Sequence, residues 1–193
     1  MKTLYFIPII IFLSCNSTTS HSEIVESSNN IKDISKDTIT FGNITNPLHN
    51  KIYRNVDELL GIKYEGTPSG AMIQGNNIRK DKEFGISHIT LDKRNIITFE
   101  EIIRENGNPK PKYLVLDTIN VDNLNKSEFI TYCNCRRDSI DDSEIIALVE
   151  FEEDTEYYHK IIKAWRADTK TGKITIIKNT KGINCINEGY GAE

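Results

Sequence analysis

Four cysteines hold the most reactive side chains of this 193-residue chain: Cys15 near the amino end, then Cys133, Cys135 and Cys185. Cys133-x-Cys135 falls in a β-rich stretch, where residues two apart point to the same face of a strand. Either thiol can reach Cys185 if the C-terminal segment folds back across the sheet. A disulfide Cys135–Cys185 is the first expectation, with Cys133–Cys185 as the alternative. Two other outcomes stay open on spacing alone. The thiols could remain reduced and buried, or bind a metal ion with His159 or His88 as the fourth ligand. Zinc motifs present tighter paired spacings than one Cys-x-Cys and a remote cysteine, so no metal site is expected.

Other reactive groups give little chemistry. Gly66-Thr67-Pro68-Ser69-Gly70 has the wrong spacing for a nucleophile elbow and reads as a surface loop. Asp168-Thr169-Lys170-Thr171-Gly172-Lys173 lacks the first glycine of a phosphate loop and reads as a hairpin turn. No His-Glu-x-x-His, Walker A or EF-hand pattern is present, so neither catalytic residues nor a cofactor are expected. His159 falls on the apolar side of a strand, where a hydrogen-bonded core histidine is the ordinary outcome. From Asp138 to Glu156 there are nine carboxylates and no Lys or Arg. Most read as a solvated strand face, but Glu152, Glu153, Asp154 and Glu156 form a tip without an obvious partner. Such a tip is a candidate interaction site for a basic protein.

The amino end supplies an address. A ten-residue apolar run, Leu4 to Leu13, follows Lys2 and precedes Ser14–Cys15. As a helix it spans roughly 15 Å, about half a bilayer core, and Pro8 interrupts it. Phe12-Leu13-Ser14-Cys15 resembles the lipobox of bacterial lipoproteins. That resemblance implies a signal peptide over residues 1–14, removed on export, and acyl chains on Cys15. At roughly 0.8 kcal/mol per buried methylene, several chains hold a protein firmly to a bilayer. Residues 15–35 then read as the lipidated cysteine and a flexible Ser/Thr/Asn-rich tether, with a single domain over 36–193. Neither a retention aspartate nor an acidic export cluster follows Cys15. The expected location is the cell envelope, on the outer membrane facing the periplasm. Asp37-Thr38-Ile39, Asp117-Thr118-Ile119 and Asp138-Ser139-Ile140 resemble the O-glycosylation acceptor of Bacteroidota, with Thr38 near the tether as the favoured site.

Composition narrows the partners. The formal net charge is −4, so no basic field argues for nucleic acid or anionic lipid. Hydrophobic residues make up 38% of the chain, enough for one core of ordinary size.

The elements that must position these groups read as α+β. Asn55 to Glu58 and Thr98 to Glu101 look like helix-starting capping boxes, closed by Gly61 and Gly107. Gly107-Asn108-Pro109-Lys110-Pro111 then forces an extended exit into KYLVLDTINV. This order of short helix, Gly-x-Pro break and strand resembles units of BamE-like and β-lactamase-inhibitor-protein-like periplasmic proteins. Residues 144–153 and 157–168 alternate as a hairpin that sets Glu150 against Lys160 and Glu144 against Arg166. The same register puts Val149 beside Ile161 and Ile145 beside Trp165. Gly172 turns the chain into residues 173–178, where Ile174 and Ile176 join the Trp165 face. The expected fold is an antiparallel meander of about five strands over 112–178, with two short helices packed on its Trp165 side.

Three functions fit these features. The first is a lipid-anchored, non-enzymatic protein-binding domain of inhibitor, immunity or envelope-accessory type. The second is a periplasmic metal-binding protein or enzyme using Cys133, Cys135 and a histidine. The third is a structural envelope lipoprotein.

Overall fold

In the computed structural model, which describes residues 47–75 and 78–191, strands account for 49% of the described chain and helix for 3%. The α+β expectation is therefore corrected to a β-domain of three antiparallel sheets. The chain runs β1 (Ile52–Tyr53), α1 (Val56–Leu60), β2 (Ser69–Met72), β3 (Glu83–Leu91), β4 (Arg94–Ile103) and β5 (Lys112–Asp122). It continues through β6 (Glu128–Tyr132), β7 (Cys135–Arg137), β8 (Ile140–Asp141), β9 (Ile145–Glu150), β10 (Tyr157–Tyr158), β11 (Ile161–Asp168), β12 (Lys173–Ile176) and β13 (Ile183–Ile186). The first sheet has the order β1-β5-β4-β3-β2, the second β12-β11-β9-β6 and the third β10-β13-β7-β8.

One of the two expected helices forms. In α1 the Asn55 side chain accepts from the Glu58 N–H at 3.0 Å, and Gly61 closes the turn in the left-handed region at φ 71°. The second capping box fails. Thr98 and Glu101 lie within β4, and Thr98 donates its hydroxyl to the Glu100 side chain. The flanking Ile96, Ile97, Ile102 and Ile103 are β-branched and favour a strand. Pairing with β3 on one side and β5 on the other satisfies more backbone groups than a two-turn helix could. The helix–break–strand unit suggested by the BamE-like resemblance is thus a hairpin of β4 and β5.

Layering explains why the central strands are apolar on both faces. Phe84, Ile86, Ile97, Phe99 and Val121 of the first sheet pack on Ile130, Ile146, Leu148, Trp165 and Ala167 of the second. On the other side of the second sheet, Ile145, Ala147, Val149 and Ala164 meet Tyr158, Cys135, Ile183 and Cys185 around the third. A third cluster covers the outer face of the first sheet, where Leu59 of α1 joins Tyr53, Ile89, Ile96 and Val115. The Trp165 side is thus covered by a sheet. Helix α1 sits on the far face of that sheet.

The expected hairpin exists, with a bulge inside it. Val149 faces Ile161 as anticipated, but the register then shifts, so Leu148 faces Lys163 and Ile146 faces Trp165. The bulge carries Trp165 and Ala167 to the face opposite Ile161. Both anticipated ion pairs survive it, Lys160 to Glu150 at 3.6 Å and Arg166 to Glu144 at 2.6 Å. The expected single meander is broken up as well. Its strands are shared among three sheets, and β12 pairs only with β11, Trp165 facing Ile176 and Ala167 facing Ile174.

Candidate functional site

The cysteine pairing is Cys135–Cys185, joining β7 to β13 at residues directly opposite each other. Cys133 is free. It does not share a face with Cys135, because Cys133 takes a left-handed conformation at φ 64° after β6 ends. It packs against the Trp165 core instead, while Cys135 belongs to the core around Ile183. Burial pushes the Cys133 thiol up to about 12. Among the described residues no group of three His, Cys, Asp or Glu side chains could hold a metal ion. Cys15 and Thr38 lie outside the described residues. Of the other two glycosylation-like motifs, Thr118 is inside β5, and Ser139 sits on the exposed turn between β7 and β8.

The acidic run divides into two parts. Three of the carboxylates in its base are compensated: Arg166 pairs with both Asp142 and Glu144, and Lys160 with Glu150. At the tip, Glu152 is a structural piece, since its carboxylate accepts from the backbone N–H groups of His159, at 2.5 Å, and Lys160, at 3.0 Å. Partial burial opposes that charge, yet these two donors hold the Glu152 carboxyl below its ordinary value. Glu153, Asp154 and Glu156 are exposed and have no cationic partner among the described residues. His159 is exposed too, correcting its expected place on the apolar face. His88 is hydrogen-bonded to Asn95 at 2.9 Å and lies edge-on to Tyr132.

The tip rests on a braced foundation. Tyr158 of β10 pairs with Cys185, which is bonded in turn to Cys135. The Tyr158 hydroxyl donates to Asn187 at 2.7 Å, and the Asn187 amide donates to the Thr155 carbonyl at 2.9 Å. Phe151, 52% exposed, stands beside the carboxylates with its ring 6.2 Å from that of Tyr158.

Sequence reasoning missed a second site, a cleft of about 610 Å³ between residues 53–72 and the outer face of the first sheet. Its lining includes Tyr53, Tyr64, Tyr113, Met72, Ile102 and the glycines Gly70 and Gly85. Glu100, 1% exposed, borders this cleft from β4. Tyr53 and Thr98 both donate hydroxyl hydrogens to Oε1 of Glu100, and Ser87 donates to Oε2 at 3.0 Å. Burial raises the Glu100 carboxyl above its usual range, against the pull of the three hydroxyls. Burial and the neighbouring Glu100 likewise raise the Tyr53 phenol. Gly85 faces Glu100 across the β3–β4 pair, so no side chain from that position covers the carboxylate. A clue was present in sequence: two adjacent carboxylates, Glu100 and Glu101, among β-branched residues in ITFEEII, one of which a strand must turn to each face. The Glu100 partners Tyr53 and Ser87 are remote in the chain, so only folding joins them.

No protein-family model matches the chain, and neither a curated protein nor a solved structure matches it.

Proposed function

We propose that the chain is a lipid-anchored envelope protein, held through Cys15, whose folded domain faces the periplasm and binds a basic protein partner without catalysing a reaction. The observation that carries this reading is the uncompensated tip of Glu153, Asp154 and Glu156 beside exposed Phe151. Charged groups at a rim steer encounter, and a neighbouring aromatic supplies buried area once contact is made. The disulfide and the Glu152 turn keep that end in one conformation, which lowers the ordering cost of association. At the other end of the same hairpin Asp142 and Glu144 are matched by Arg166, so the tip is more acidic than its base.

The test is photo-crosslinking in envelope preparations, with a photoreactive residue at Asp154 and a control at Lys170. A discrete basic protein captured from position 154 alone, and lost in the Glu153→Gln/Glu156→Gln variant, supports the reading. No adduct, or equal capture at both positions, contradicts it. In parallel, Cys15→Ala should move the chain from the membrane to the soluble fraction. Unchanged membrane association defeats the anchor.

A further inference from the structure

We propose that the cleft between residues 53–72 and the first sheet binds a primary ammonium group, with Glu100 as its counter-charge and three tyrosines as its walls. The proposal does not depend on the acidic tip. It begins with size: about 610 Å³ suits a small organic molecule or a long side chain, and the lining mixes apolar area with a few polar groups.

Charge comes next. Besides its tyrosines, the cleft is lined by three ionisable side chains: Arg54, Asp57 and Glu100. Arg54 is committed elsewhere, to Glu105 at 2.5 Å and to the Lys110 carbonyl at 2.7 Å. Asp57 accepts from the Tyr64 N–H at 2.8 Å at the edge of the cleft. Glu100 has no cationic partner among the described residues. A buried carboxylate held only by neutral hydroxyls is under-compensated, and an incoming cation supplies what is missing.

Valence selects the kind of cation. An ionised carboxylate offers about four acceptor sites. Oε1 of Glu100 already takes two hydroxyls, from Tyr53 and Thr98, and Oε2 takes only one, from Ser87. Oε2 therefore keeps room for one further donor. A primary ammonium brings a donor and a charge together, whereas a quaternary ammonium brings charge alone and an alcohol a donor alone. The rings of Tyr53, Tyr64 and Tyr113 line the same space, and aromatic faces attract cations. The first and last of these rings are 5.4 Å apart and tilted by 32°. Opposite Glu100, Gly85 brings no side chain of its own, and the Ala71 carbonyl oxygen and Ile102 Cδ1 lie 3.3 Å from where its Cβ would be. Because burial favours the neutral carboxyl, binding an ammonium should also release a proton from Glu100 to solvent.

The experiment titrates the full chain, in neutral detergent micelles, with n-butylammonium, tetramethylammonium and n-butanol, following the amide resonances of Gly70 and Gly85. The expected result is saturable shifts with n-butylammonium at least about tenfold tighter than with either other probe. Glu100→Gln should abolish that preference. Gly85→Ala, which crowds the Ala71 carbonyl and Ile102 beside the retained carboxylate, should weaken n-butylammonium about tenfold, read at Gly70, and decides the matter if the first variant does not fold. Equal binding of n-butanol would show an apolar pocket only, and equal binding of tetramethylammonium an unspecific cation effect. Either result overturns the proposal, as does the absence of saturable shifts at the two glycines or binding that survives both substitutions.

Discussion

Tyr53 donates its hydroxyl hydrogen to Glu100, linking the end of β1 to the middle of β4 across 47 residues of sequence. Both side chains are buried, at 5% and 1% exposure. The bond ties the segment carrying α1 onto the outer face of the first sheet, and both residues line the cleft. A carboxylate in this place is costly to desolvate and is tolerated because hydroxyls surround it.

Removing that carboxylate should be destabilising and should change the response to pH. Glu100→Ala leaves the Tyr53, Thr98 and Ser87 hydroxyls without their acceptor, a loss of about 1–3 kcal/mol. The carboxyl titrates higher folded than unfolded. Between the two values the folded state holds the extra proton, so stability falls as pH rises through that window. Urea unfolding across a pH series measures the slope. Glu100→Gln should flatten it, and an unaltered slope would assign the dependence to another group.

Breaking the disulfide should loosen the acidic end before the rest. For a separation of 50 residues the chain-entropy argument gives about 4 kcal/mol of stabilisation. The Cys135→Ser/Cys185→Ser pair should lower the urea midpoint accordingly and speed amide exchange at Tyr158. Unchanged exchange there would mean that β10 is held by its packing alone.

Cys133 should be nearly inert while the domain is folded. With its thiol pushed up to about 12, the thiolate fraction at pH 8 is on the order of one in ten thousand. In the Cys15→Ala chain, iodoacetamide should label Cys133 rapidly in denaturant and slowly in buffer. Fast labelling in buffer would contradict its burial.

The bulge in β11 makes a prediction about deletions. Ile162 is the extra residue and is 48% exposed, so removing it restores regular pairing with Trp165 still facing Ile146. Removing Ala164 instead either sets Trp165 against Ala147 with the bulge kept, or puts Lys163 in the buried place of Ala164 with the bulge lost. Trp165 is the single tryptophan, so fluorescence reports on it directly. The Ile162 deletion should keep a blue-shifted, buried emission with a loss of roughly 1–3 kcal/mol, and the Ala164 deletion should not fold. Equal damage from both would remove the bulge as the explanation of the register.

Much of the C-terminal half was legible because its signals are local in register. Glu150 with Lys160 and Glu144 with Arg166 agree with one hairpin, and long side chains reach their partners despite the bulge. The turn at Gly172, at φ 70°, and the cap at Asn55 are likewise short-range chemistry. Thr98 to Glu101 misled because a capping box is only four residues long. The competing strand owed its stability to β3 and β5, which no window around Thr98 contains.

Sequence alone determined that a thiol of the Cys133-x-Cys135 pair could meet Cys185, the alternation of β9 and β11, and the acidity of the hairpin tip. These follow from side-chain type and from the two-residue period of a strand. Tertiary structure decided what each face meets. It divided one expected meander among three sheets, placed Cys133 and Cys135 in different cores, and gathered the Tyr53, Ser87 and Thr98 hydroxyls on Glu100 beside a cleft. The reason is physical. A strand's period says which residues share a face, but only the packing of whole layers says whether that face meets water, another sheet or an unfilled space.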